Sequence, residues 1–213
     1  QEYKDCILFY RLGDFYEMFF EDALTASKEL EITLTGKNCG LEERAPMCGI
    51  PYHAVDGYLT KLVSKGYKVA ICEQVEDPKM AKGLVKREVT RIVTPGTNLN
   101  IQSLEETKNN FLMSIAYFPN KIGLSIADVT TGEYYLTEVD DVRKLMDEVN
   151  KYMPSEIICN DAFMVSGTDI DDLRHRLSIT VYPLEAHYFD DDACRKCLMR
   201  HFHVQVLTGL GIE

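Results

Sequence analysis

"CILFYRLGDFYEMFF", residues 6–20, sets two aromatic-rich runs on either side of Gly13-Asp14. Such runs suit strands, and a Gly-Asp pair fits a two-residue hairpin turn. The competing reading makes Asp14 a helix N-cap with Glu17 as its capping-box partner. The aromatic content favours the hairpin. Side chains two apart in a strand share a face, so Phe15, Glu17 and Phe19 fall together and Tyr16, Met18 and Phe20 face the other way. A carboxylate and an exposed ring on one face are costly without a partner.

Outward from the hairpin, "EDALTASKEL" (21–30) predicts a helix with Ala23, Leu24, Ser27 and Leu30 at helical spacing and acids in its first turn. A short strand "EITLT", a polar loop "GKNCGLEERAP" and the extended "MCGIPYHA" follow. "VDGYLTKLVSKG" then reads as an amphipathic helix ending at Gly66, and "YKVAICEQV" as a buried strand. "DPKMAKGLVKREVTRIVTPGT" passes from a turn into a strand that stops at Pro95-Gly96. Residues 98–109 are polar and weakly periodic, a linker between a first domain, 1–97, and a second, 110–213.

In the second domain "FLMSIAYF", "KIGLSIADV" and "GEYYLTEV" predict three antiparallel strands. After them helices and strands alternate: "DVRKLMDEVNKY", "SEIICN", "DIDDLRHRL", "ITVYPL" and "DDDACRKCLMRHF". The fold class is therefore α/β throughout, each domain a mixed sheet with helices. The end, "VLTGLGIE", carries no stop signal, so this domain is expected to be cut slightly short, and the opening on Gln1 suggests a piece of a longer polypeptide.

The chain has 213 residues, 46% apolar and 27% charged, the balance of a folded protein. It contains no apolar run fit to span a bilayer and no leader, so a cytoplasmic location and no membrane partner are expected. Seven cysteines without framework spacing read as reduced thiols. The net charge of −11 opposes a nucleic-acid partner at first sight. Its distribution softens that: 13 Lys and Arg against 15 Asp and Glu leave −2 in residues 1–100 and −9 beyond.

Lys82, Lys86, Arg87 and Arg91 against Glu88 give residues 82–91 a charge of +3, with Arg87 and Arg91 on one face of the expected strand. That pattern fits phosphate contact or an ordinary solvated face equally. Cys194, Cys197, His201 and His203 have zinc-ligand chemistry, yet 194, 197 and 201 share a helix face with Leu198, which small buried thiols explain. Asp128, at the end of "GLSIAD", is the chief enzyme alternative: the metal carboxylate of a nuclease-like domain, with Glu133 and Asp161 as companions. No G-x-x-x-x-G-K-[ST] loop is present.

"LFYRLGDFYEMF", "APMCGIPYHAVDGYLTKLVSKGYKVAICEQVEDP" and "REVTRIVTPGT" together closely resemble the N-terminal mismatch-binding domain of the bacterial MutS family of DNA mismatch-recognition proteins. "GLSIADVTTGEYYLTEV" looks like the start of that family's connector domain, which has a ribonuclease-H-like α/β fold without known catalysis. The resemblance implies that Phe15 enters the minor groove and stacks on a mispaired or unpaired base, and that Glu17 hydrogen-bonds to that base while the DNA is kinked. It places Lys37, Pro46, Met47 and Arg87 beside the DNA backbone or groove. Lys37 stands where relatives carry Arg, and Cys48 replaces a more usual Ala.

On the same resemblance the chain is no enzyme and carries no cofactor or metal, since ATP and Mg belong to an ATPase domain outside it. The implied partners are mismatched double-stranded DNA and MutL, with homodimerisation at full length and a monomer for this piece. In the cell such a protein is cytoplasmic and associates with the nucleoid when on DNA.

Overall fold

The computed structural model describes residues 3–40, 42–76, 85–99 and 109–212, and the chain divides into two compact units, 1–108 and 109–213. Lys82 and most of the segment 98–109 lie outside the described residues.

The first unit is built on β1 (Cys6–Leu12) and β2 (Phe15–Phe19), antiparallel and closed by the predicted two-residue turn, with Leu12 opposite Phe15. Gly13 has φ +60° while Asp14 does not enter the positive region, the pattern of a type II′ turn with glycine first. The capping-box reading is thereby overturned, because Glu17 sits within a strand. Chain order continues with α1 (Phe20–Leu30), β3 (Thr35–Lys37), β4 (Ala45–Pro51), α2 (Val55–Val63), β5 (Lys68–Gln74) and β6 (Arg87–Val93). The six strands lie in the order β3-β4-β2-β1-β5-β6, β1 and β5 parallel and the other neighbours antiparallel.

Both helices cover one face of this sheet. Ala23, Ala26 and Leu30 of α1 and Leu59, Leu62 and Val63 of α2 form a core with Ile7, Phe9, Tyr16, Met18, Ile50, Val69 and Ile71. Alanines toward the sheet allow close approach of α1, and Leu24, expected on the inner face, is instead 42% exposed. Phe20 also departs from expectation: the chain turns there with φ +53°, leaving its ring 52% exposed where strand alternation would have buried it. The short strand after α1 falls on Thr35–Lys37 and not on "EITLT", since Glu31 adopts a left-handed cap.

β5 and β6 slip register between Ile71 and Cys72: Arg91 pairs with Ile71 and Val89 with Cys72. Thr90 is the extra residue of this bulge, and one extra residue inverts the alternation. Arg87 and Arg91 therefore project from opposite faces, which corrects the expectation that they share one.

The second unit comprises β7 (Phe111–Phe118), β8 (Lys121–Asp128), β9 (Glu133–Val139), α3 (Val142–Tyr152), β10 (Glu156–Cys159), α4 (Asp161–Met164), α5 (Ile170–His175), β11 (Thr180–Pro183) and α6 (Asp191–Phe202). Its sheet has the order β11-β10-β7-β8-β9, an antiparallel meander extended by two parallel strands, as the ribonuclease-H-like α/β reading requires. Leu145 and Val149 of α3, Phe163 of α4 and Leu173 of α5 pack on Met113, Ile115, Ile122, Leu124, Ile126, Ile157 and Val181. α6 buries none of its residues. Cys197 and His201 are exposed and Cys194 is partly so, so the buried-thiol explanation of that helix face fails. All seven cysteines are free thiols. No helix among the described residues is long and apolar enough to cross a membrane.

Candidate nucleic-acid interface

Strand alternation assigns the second face of the first unit's sheet, opposite α1 and α2, to a distinct set of side chains. Cross-strand partners share a face, so the pairs Tyr10 with Glu17, Leu12 with Phe15, Phe15 with Pro51, and Phe19 with Met47 place these residues together. Phe15 stands at the hairpin tip with 48% of its surface exposed, while Tyr16 behind it is 4% exposed. The sequence thus separates a ring offered to solvent from a ring held in the core within two consecutive residues.

The tip is fixed from behind. The Arg11 guanidinium lies 3.7 Å from the Tyr52 ring centre and 5.5 Å from that of Tyr16. Arg11 Nε donates to the Gly13 carbonyl at 2.5 Å, and Tyr52 N–H donates to the Asp14 carbonyl at 2.9 Å. Tyr16 donates its hydroxyl to Glu73, and burial together with that carboxylate pushes the phenol up to about 12. A tip anchored at Arg11, Gly13, Asp14 and Tyr16 presents Phe15 with little conformational freedom left to lose.

Glu17 and Lys37 are directly paired, Lys37 Nζ lying 2.5 Å from Glu17 Oε2. The Lys37 ammonium also stands 5.6 Å from the Phe19 ring centre. Gly49, opposite Glu17 on β4, leaves room beside Glu17 and Phe15: a Cβ there would meet Tyr16 O at 3.4 Å, Glu17 Cγ at 3.6 Å and Phe15 Cδ1 at 4.0 Å. A glycine inside an extended stretch is the signal for such close approach, and "MCGIP" carries it.

Of the expected groove residues, Phe15, Glu17, Lys37 and Met47 are brought onto this face. Arg87, on the opposite edge strand, lies on it too, 5.3 Å from the Tyr10 ring centre, with Nε and Nη1 donating at 2.9 Å to the carbonyls of Arg11 and Val85. Pro46 alternates to the other face of β4, beside Gly36 on β3. Arg11, Tyr52 and Gly49 escaped the sequence reading because they act by backing or clearing the tip, which only the fold reveals.

The enzyme alternative finds no metal site among the described residues. Asp128 is 1% exposed and its carboxylate accepts from Asn110 N–H at 3.0 Å and from Thr130 N–H and hydroxyl at 2.8 and 2.6 Å. Burial raises its pKa, but the Thr130 and Asn110 hydrogen bonds outweigh burial and hold it below the usual carboxylate value. Among the described residues no three His, Cys, Asp or Glu side chains gather where they could hold a metal ion. Asp128 is a turn-closing acid.

A MutS domain I profile matches residues 1–102 and a MutS domain II profile matches residues 110–213. The chain belongs to the MutS family. Among its relatives are proteins named DNA mismatch repair protein MutS from Lachnoclostridium phytofermentans, 65% identical over the whole chain, and from Ruminiclostridium cellulolyticum, 54% identical over 98% of it. The one from Acetivibrio thermocellus is 53% identical over 97% of the chain. The chain spans about a quarter of the length of these relatives: 23% of the first and 24% of the other two.

Proposed function

We propose that the first unit reads mispaired and unpaired bases in duplex DNA as part of mismatch repair. Phe15 enters from the minor groove and stacks on the base, Glu17 hydrogen-bonds to that base, and the duplex kinks at the step. The observation that carries this reading is the pairing of an exposed ring with a carboxylate on the sheet face opposite α1 and α2. An apolar wedge partly unstacks a base step and kinks the duplex, and a mispaired step is easier to deform than a paired one. Glu17 adds selectivity, because a carboxylate near phosphates is unfavourable unless a base donor receives it.

On this reading Lys37, Met47 and Arg87 contact the backbone or groove, the second unit connects without catalysing, and MutL and a second copy of the longer polypeptide are partners. The protein acts in the cytoplasm, on the nucleoid. ATP and Mg, if the longer polypeptide uses them, act outside these residues.

The test is kinking, measured by energy transfer between dyes at the two ends of a short duplex, with a polypeptide of the relatives' length that carries this chain. Transfer should rise on binding a G·T duplex and stay near its free value with the matched one. Equal transfer for both contradicts the reading.

A further inference from the structure

Lys37 was expected at the DNA backbone, yet its ammonium sits 2.5 Å from Glu17 Oε2, reaching across β4 from the edge strand β3. The Glu17 side chain keeps 17% of its exposure and that of Lys37 keeps 40%, so the acid is largely enclosed while the base remains open to solvent. Gly49, directly opposite Glu17, puts no side chain against the acid. Resting on the function proposed above, we infer that Lys37 is a specificity-setting counter-ion, which neutralises Glu17 on paired DNA and gives it up to a mispaired base.

The chemistry follows from what each duplex offers. In a paired step the Watson–Crick N–H donors are occupied, so nothing on the base competes with the ammonium for Glu17. The ion pair then cancels the repulsion between that carboxylate and the phosphates. An unpaired base has a free N–H, and a mispaired one, held by a weaker, displaced pair that the wedge unstacks, gives one up more readily; Glu17 accepts from it, and the released ammonium becomes available to a phosphate. Lys37 thus acts through Glu17 and positions its charge. Being a point charge on a flexible stem, lysine can exchange partners this way more readily than the planar fork of arginine.

The test is a double-mutant cycle of Lys37→Met and Glu17→Gln, with affinities for a G·T duplex and its matched counterpart measured at several salt concentrations, in the polypeptide of the relatives' length. Lys37→Met should weaken matched binding roughly tenfold and G·T binding roughly threefold, raising the preference about threefold. It should also reduce the slope of log K against log salt by about one for the G·T duplex only, the signature of one lost phosphate contact. In the Glu17→Gln background the same substitution should leave the preference unchanged, and Lys37→Arg should restore matched binding. Equal weakening on both duplexes, repeated in the Glu17→Gln background, would overturn the counter-ion assignment and leave Lys37 a plain phosphate contact. Lack of any mismatch preference in the unaltered protein would instead remove the function on which the inference rests.

Discussion

The Arg11 guanidinium lies 3.7 Å from the centre of the Tyr52 ring, on the face of the hairpin opposite Phe15. The base of the tip and the residue after β4 are thus held to each other by a cation–π contact, and by the Tyr52 N–H to the Asp14 carbonyl. At a site where Tyr52 is 42% exposed, such a contact contributes about 0.5–1 kcal/mol. Tyr52→Ala is expected to lower stability by about that amount in urea unfolding, and Tyr52→Phe to restore it. The mismatch preference should fall with Tyr52→Ala while matched binding holds, since the backing orients Phe15 and touches no phosphate.

Gly13 makes the turn possible through its backbone alone. Its φ of +60° is a conformation that costs an L-residue about 1–2 kcal/mol, and a Cβ there would meet nothing within 4 Å. Gly13→Ala should therefore destabilise the protein by about 1 kcal/mol through conformation, and Gly13→Asn by less. Equilibrium unfolding of the two variants measures the difference; equal losses would point to a contact instead.

Asp128 carries an acid dependence. Its folded pKa lies below the ordinary 3.8 despite burial, because Thr130 and Asn110 donate to its ionised form. A carboxylate with a depressed folded pKa contributes stability that is present in full above its unfolded value and is lost as pH falls through the folded one. The contribution should thus begin to fall once pH drops below about 4, and go on falling as the acid takes up its proton in the folded state. Asp128→Asn replaces an acceptor with a donor facing Asn110 N–H and is expected to cost about 1–3 kcal/mol at neutral pH. Its unfolding curve should also show a weaker pH dependence between pH 4 and 2 than that of the unaltered protein.

Local chemistry made much of this fold readable. Gly13-Asp14 between aromatic runs gave the hairpin, the alternation at Phe15, Tyr16, Glu17 and Met18 assigned their faces, and the turns at Pro119-Asn120 and Gly132 separated β7, β8 and β9. What stayed hidden depended on neighbours remote in sequence. The Thr90 bulge, which turns Arg91 away from Arg87, shows only in the register of β5 against β6. The Lys37–Glu17 pair spans three strands, and Tyr52 meets Arg11 from forty-one positions away. Phe20 breaks alternation because the chain turns into α1 there, and the thiols of α6 looked buried only because helical spacing says nothing about what covers a face.

Phe15 is the centre of the account, and its truncation is the most direct test. Affinities for a G·T duplex and its matched counterpart should be measured at one fixed salt concentration, with and without Phe15→Ala, in a polypeptide of the relatives' length. Stacking of an aromatic side chain on a base is worth about 1–3 kcal/mol, so the substitution should cost the G·T duplex about tenfold or more and matched DNA little. Loss of the preference is the predicted result. A preference that survives Phe15→Ala intact would mean that the exposed ring at the hairpin tip is not the reader.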